Sequence, residues 1–439
     1  MVEQRHFTRG QAGLPVTMRP KLLFLCHTLP YPPDGGVWIR TYHVMRLLAR
    51  AFDITALCFE RTPIPGNRAA GDIGASCRAL SRFAAVEVFP IPQQHSRLRY
   101  TWDHLRSTAL HRVYTTYLYE SRAFERRLTE ILRTKPIDLI HVDSLDLAAY
   151  LPACRGIPVV CVHHNVESVL LRRRAATERN EWRRAYVRHQ ARLMEVAERY
   201  WCERVGLNVA VSEHDRASLE RMAPRARIAV VPNGVDVAAF QPGAAWGAGV
   251  AFVGGLHWFP NRDALEFFCR DILPHLRAGR TRVPALWIGS ASIDERRRYR
   301  ERFGVEVTGY VDDVRPFMRG AACHIVPLQV GGGTRLKILN SWAMGKPVVT
   351  TSVGCEGLEA TDGENALIRD DPKDFAKAVL AVLADRELGQ RLGNRGRATV
   401  ERYYSWDVIG RDLIETYLDV ANVESSAPPL ATTGASHGR

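Results

Sequence analysis

Short apolar runs alternate along the chain with longer stretches whose apolar residues recur every three or four positions. The runs at 21–27, 53–60, 86–91, 138–144, 158–163, 207–212 and 228–232 read as buried strands, and so do 250–256, 285–290, 305–311 and 323–328 in the second half. The helical period fills 37–50, 97–135, 170–204, 374–383, 387–401 and 403–421, while 63–82 has the small residues of a loop with one brief helix. Strand, helix, strand is the βα unit, and a succession of such units builds a parallel sheet between layers of helix. With 439 residues, 46% of them hydrophobic, the chain has material for two such cores. The expected class is α/β, with Rossmann-like parallel-sheet domains at 21–231 and 232–402, a last helix at 403–422, and tails at 1–20 and 423–439.

The most informative stretch is 330–351, VGGGTRLKILNSWAMGKPVVTT, which reads as strand end, glycine loop and helix. Glycines let the backbone come close to a ligand, and the first turn of a helix offers unpaired N–H groups and a partial positive charge. The junction therefore suits an anion such as a diphosphate, held at Gly332, Gly333 and Thr334. Thr334 is placed to cap the helix, Arg335 and Lys337 add positive charge, and Lys337, Asn340 and Ser341 share a face at i, i+3 and i+4. On the glycine run alone, a simple turn is the alternative. Two further glycine pairs follow first strands. Gly35 and Gly36 lie in the loop TLPYPPDGGVWIR, and Gly254 and Gly255 precede His257, Asn261 and Arg262, with Asn261 read as a helix cap. Neither pair has the GxGxxG spacing of a dinucleotide fingerprint, which disfavours a dehydrogenase. His163, His164, Asn165 and Glu167 form a polar cluster just past a buried strand, at the sheet edge where α/β ligand sites gather.

Taken together, GGTRLK, AMGKPVVTT and GLEATDGENALI resemble the donor-nucleotide segment of the retaining GT-B glycosyltransferases, particularly the family 4 group of bacterial exopolysaccharide and cell-surface glycan enzymes. VVPNGVDVAAF is similar to the hinge of that family, FVGGLHWFPNRDALEFF to the first strand and helix of its donor domain, and HHNVES to the segment whose histidine reaches the donor sugar. The resemblance spans 21–421. It implies two domains facing across a cleft, with 21–231 on the acceptor side, 232–402 binding the nucleotide-sugar, and 403–422 crossing back to the first domain. It further implies a retaining, hexosyl-type transferase of surface polysaccharide biosynthesis. Such an enzyme uses a UDP- or GDP-sugar as substrate, a glycan or polyprenyl-diphosphate-linked acceptor, and no cofactor. Matched residue by residue, His164, Arg335 and Lys337 become the catalytic set, with His163 the rival of His164. Gly35, Gly36, Gly254, Gly255, Arg262, Gly332, Gly333, Thr334 and Asn340 become the donor-binding set. The family usually has a ribose-holding glutamate where this chain has Asn340, and many members have an Arg and Lys in the loop in whose neighbourhood this chain has Gly255, His257 and Arg262. No DxD motif ends a strand, so no metal is expected, and the diphosphate charge falls to amides, cations and the helix dipole.

A net charge of +13 calls for an anionic partner. In 97–135, arginines 97, 99, 106, 112, 122, 126, 127 and 133 alternate with Tyr100, Trp102, Tyr114, Tyr117, Tyr119 and Phe124. That mixture suits anionic lipid at the inner membrane face, with a solvated helix face as the alternative. Nucleic acid is not expected, for no recognised binding module is present. The nine cysteines lack CxxC spacing and read as small core residues of a reducing, cytoplasmic environment. The rival functional reading is a GT-B-fold nucleotide- or glycan-binding protein whose transfer is reduced or lost through Asn340.

Overall fold

The computed structural model describes residues 19–61, 72–94, 96–243, 246–278, 283–333 and 335–425. Most of the two expected tails, much of the 63–82 segment and Thr334 lie outside the described residues. The first sheet comprises β1 (Lys21–Cys26), β2 (Asp53–Phe59), β3 (Ala84–Phe89), β4 (Leu139–Val142), β5 (Val159–Val162), β6 (Leu207–Ala210) and β7 (Ile228–Val230), in spatial order β3-β2-β1-β4-β5-β6-β7. The second comprises β8 (Val250–Val253), β9 (Ala285–Ile288), β10 (Glu306–Val307), β11 (Cys323–Val326), β12 (Val348–Thr350) and β13 (Leu367–Ile368), ordered β10-β9-β8-β11-β12-β13. Every neighbouring pair is parallel. The strand order reverses between β1 and β4 and again between β8 and β11, and the crevice outside the carboxyl ends at such a reversal is where α/β folds bind ligands.

Both faces of each sheet are covered, which is why the strands read as nearly continuous apolar runs. Along β1, Leu22, Phe24 and Cys26 enter one core with Met45, Leu48 and Phe52, while Leu23 and Leu25 enter another with Phe59, Phe124 and Leu128. The second domain packs around Phe252, Trp287, Ile325 and Trp342, with a smaller cluster at Ile288, Met318 and Met344 on the other side.

The last helix, Trp406–Ser425, starts where Ser405 Oγ accepts from the Val408 amide and then leaves the second domain. Trp406, Ile409, Leu413, Tyr417 and Val420, spaced at three and four, complete the core of the first. His43 stacks on Trp406 with centroids 4.6 Å apart, and Gly410 lies so close to Leu47 that an added Cβ would stand 2.6 Å from it.

Three expectations change in detail. The helical period at 170–204 resolves into two helices, Glu167–Thr177 and Glu181–Cys202, because Asn180 caps the second by accepting from the Arg183 amide at 3.0 Å. Stretch 97–135 becomes Arg97–Ala109, Thr115–Leu118 and Arg122–Thr134, with Ser96 and Ser121 as caps. Its expected ring-bearing face is also corrected. Tyr117, Tyr119 and Phe124 are buried inside the domain, so the outward apolar groups are Tyr100, Trp102 and the aliphatic Leu98, Leu105 and Leu110. No helix among the described residues is long and apolar enough to cross a membrane.

Candidate active site at the interdomain cleft

The glycine loop after β11 lies against the end of β5 in the other domain. A Cβ built on Gly332 would stand 3.1 Å from Asn165 Oδ1, and one on Gly333 only 2.4 Å from the His164 carbonyl oxygen. Gly333 also has a φ of +65°. Close approach and a left-handed backbone both demand glycine there.

Arg335 is the N-cap of the helix Leu336–Ala343 and makes no side-chain cap bond. Its guanidinium turns back under the loop. It donates to the carbonyl oxygens of Gly332 and Gly333, and to that of Val353 at 3.1 Å. Only 5% of the residue is exposed, and burial pushes its pKa down to about 10, so it stays charged at neutral pH. The expectation of a cation facing the diphosphate therefore gives way to a buried tie that draws the loop's carbonyl oxygens inward.

Lys337, in the first turn of the helix, lies at the cleft. Its Nζ donates to Asn261 Oδ1 at 2.7 Å and sits 4.0 Å from the centroid of the Phe252 ring. Burial first, and Arg335 second, hold its pKa well below the ordinary lysine value. Asn261 is not a cap, since the helix Phe259–Phe267 has Trp258 at that position. It lies in the first turn and donates to the Gly255 carbonyl at 3.0 Å, joining Lys337 to the loop after β8. Gly254 and Gly255 serve that packing, because Cβ atoms there would stand 2.6 Å from Asn261 and 2.4 Å from Ser290 Oγ. Arg262 stands at the rim, exposed, 3.8 Å from Glu295. Ser341 faces His324 at 2.5 Å in the core, so of the expected trio Lys337 and Asn340 remain half-buried while Ser341 is inside.

From the first domain, Gly36 opens the helix Gly36–Leu48, and a Cβ there would meet Leu336 of the helix Leu336–Ala343 at 4.0 Å. Gly35 is extended, and its Cβ would strike its own Trp38 ring. The two histidines part company. His163 is buried with Nε2 2.9 Å from Asn208 Oδ1, whereas His164 lies at the cleft, its Nε2 3.4 Å from Asp143. Asp143 is buried beside His27, His141 and Thr41. Burial alone would raise its carboxyl, but the surrounding imidazoles hold it well below the carboxylate range, and it in turn raises His27 against the effect of burial.

A cross-domain tie closes the arrangement. Arg173, on Glu167–Thr177, donates to the Gly331 carbonyl at 2.6 Å and forks onto Glu356 at 2.6 and 2.8 Å, with His214 at 3.4 Å. His27, Asp143, Arg173 and Glu356 were not singled out from sequence. The first two each stand one residue past a buried strand, which is a usable signal. Arg173 is hidden within the run Arg172 to Arg174.

Residues 34–239 match the family model Glycosyltransferase Family 4, and residues 247–385 match Glycosyl transferases group 1. Each domain is thus similar to a glycosyltransferase family model, in a chain of GT-B architecture. This GT-B chain is 35% identical over 107 residues to the lipopolysaccharide core biosynthesis glycosyltransferase LpsE of Rhizobium meliloti, covering 24% of this chain and 31% of that protein. It is 31% identical over 98 residues to the uncharacterized glycosyltransferase MJ1178 of Methanocaldococcus jannaschii, covering 22% and 27%. The matched segment thus spans under a third of either curated relative. Solved structures of similar fold include Anabaena HepE in complex with UDP and glucose, with a TM-score of 0.63, 14% identity and coverage of 90% of this chain and 99% of that one. Another is the sucrose-phosphate synthase of Thermosynechococcus elongatus, at TM-score 0.64, 17% identity and coverage of 91% and 99%.

Proposed function

We propose that the protein transfers a hexosyl group from a UDP- or GDP-sugar to a glycan or polyprenyl-diphosphate-linked acceptor, with retention of anomeric configuration, in the building of a surface polysaccharide. The observation that carries the reading is the meeting of the glycine loop and its cationic helix with His164 and Asn165 across the cleft. As the glycosidic bond breaks, negative charge grows on the leaving diphosphate. The amides of Gly332, Gly333 and Thr334, the first turn of the helix and Lys337 are the groups that stabilise it. His164 positions the sugar through a hydrogen bond to a hydroxyl. HepE, solved with UDP and glucose, and LpsE, named for lipopolysaccharide core synthesis, lend support by likeness.

The acceptor side is read as resting on an anionic membrane face. Leu98, Trp102 and Leu105 form an outward stripe at i, i+4 and i+7 that is 87%, 60% and 58% exposed, with arginines around it. A screen of nucleotide-sugars with mass analysis and anomer assignment of the product tests the transfer. Hydrolysis or binding without transfer, for every donor, would favour the second reading, a binding protein, which the replacement of the ribose carboxylate by Asn340 supports. Co-sedimentation with anionic vesicles, lost in Trp102→Ser/Leu105→Ser, tests the surface, and equal retention on neutral vesicles would overturn it.

A further inference from the structure

The loop 28–36 joins β1 to the helix Gly36–Leu48 and is pinned from within its own domain. Arg61, two residues past β2 and 5% exposed, donates to the Pro32 carbonyl at 2.6 Å and to Asp34 Oδ1. Its guanidinium also lies 3.5 Å from the centroid of the Trp38 ring. Trp38 Nε1 in turn donates to Thr28 Oγ1 at 2.9 Å, and Ser76 Oγ donates to the Tyr31 carbonyl at 3.0 Å. The other Asp34 oxygen faces the second domain, where it accepts from the Tyr310 hydroxyl at 3.1 Å. Tyr310 stands three residues past β10. Burial first, and the charge of Asp34 second, push its phenol up to about 12, so the hydroxyl keeps its proton and donates.

The two ends of that bond belong to opposite walls of the cleft. Gly289 and Gly309 pair across the loops that follow β9 and β10, and Ser290 bonds His257 at 2.8 Å in the loop after β8, which packs on Asn261 and Lys337. Tyr310 is therefore carried by the loops that flank the proposed donor site. Asp34 directly precedes Gly35 and Gly36, where the first-domain helix opens toward Leu336. In strand order this contact lies toward β2 and β10, and the Arg173–Glu356 fork toward β5 and β12, so the glycine loop and Lys337 sit between two cross-domain ties. A carboxylate shared between a buried guanidinium of one domain and a phenol of the other passes a domain movement to the backbone beside it. We infer that Tyr310, acting through Asp34, is a positioning residue for the acceptor wall, fixing the loop 28–36 when the cleft closes on a nucleotide. The inference rests on the proposed transfer, which gives 21–231 to the acceptor.

The test is amide hydrogen exchange of the full chain, read by mass spectrometry over 28–36, in the wild type and in Tyr310→Phe. In the free protein the variant should exchange roughly tenfold faster at Asp34–Gly36, the scale of a lost bond to a charged group, with β1 and β10 unchanged. Saturating UDP should slow the exchange further in the wild type but not in Tyr310→Phe, although calorimetry finds the UDP affinity of the two within about threefold. Adding Tyr310→Phe to Asp34→Ala should change nothing more, since the pair acts through one bond. In turnover, Tyr310→Phe should raise the acceptor KM more than it lowers kcat. Equal exchange in the two free proteins would overturn the inference, and so would UDP protection that persists in Tyr310→Phe. The two readings separate, because a chain that binds neither UDP nor GDP defeats the proposed transfer while the free-protein comparison still reads the contact. Equal exchange with UDP bound defeats the contact alone.

Discussion

At the residue scale, the proposed donor site sets Lys337 and Asn340 beside the nucleotide. The ammonium of Lys337 is held below its ordinary pKa by burial, and a diphosphate arriving beside it favours the charged form again. UDP binding should therefore take up a proton, and affinity should fall as pH rises. Calorimetry in buffers of different ionisation enthalpy reads that proton directly, and a buffer-independent enthalpy would count against the assignment. Lys337→Ala should lower turnover on the order of a hundredfold, the scale of a lost transition-state donor. In that proposed site a carboxylate at position 340 would accept from both vicinal ribose hydroxyls more strongly than an amide can. Asn340→Glu should accordingly tighten UDP or GDP binding by roughly 1–3 kcal/mol and raise turnover. Weaker binding in that variant would move the balance to the binding-protein reading. The residues visible in the sequence were those whose type is imposed by a local requirement. Gly332 and Gly333 are of this kind, since no side chain fits against His164 and Asn165. The inward turn of Arg335 was not visible, because a pattern gives the face of a helix and not the path of a long side chain at its cap.

At the scale of elements, the pair Glu167–Thr177 and Glu181–Cys202 carries an unusual acid. Glu198 accepts from the Ser168 amide at 3.2 Å, while its other oxygen is buried without a partner among the described residues. Burial raises its pKa to about 7, and the Ser168 bonds and the charge of Arg172 only partly offset this, with Glu167 and Cys202 close by. The folded chain thus holds a proton that the unfolded chain releases above the ordinary value of 4.5. Stability from this group is present below that value and is lost as pH rises through about 7. Glu198→Gln should flatten the dependence across this window and add up to about 3 kcal/mol above it. Thermal unfolding at about pH 5 and pH 8 checks both, and an unchanged pH slope would remove Glu198 as the source. The period of 170–204 showed helix but not the break, since an arginine-rich surface carries little apolar phase and only Asn180 marks the new start. Strands were legible wherever both faces are covered. The two-residue edge strand β13 was missed because so short a strand has no period.

At the scale of the molecule, the Arg173–Glu356 fork is a polar tie that holds the glycine loop after β11 to the first domain. Burial would raise the Glu356 carboxyl, yet Arg173 holds it below the usual range, so the tie persists through that range and is lost only as pH falls below it. Arg173→Ala should leave each core intact, enlarge the radius of gyration in solution scattering, and weaken UDP binding by roughly tenfold, or about 1.4 kcal/mol. Unchanged scattering together with unchanged affinity would show that the two domains hold their angle without it. The number of domains and the parallel sheets followed from the alternation of strand and helix. The contacts between domains did not, because they join residues far apart in sequence through single side chains.

The closing helix Trp406–Ser425 sets an order of events during synthesis. Domains generally fold as they leave the ribosome, the N-terminal one first. Here the first domain is made early but cannot finish, because Leu47, Leu48 and Phe52 await Trp406, Leu413 and Tyr417 from the far end of the chain. The second domain emerges whole and folds while the first still shows an apolar wall to chaperones. A premature stop shortly after residue 402 would therefore spare the second domain and ruin the first.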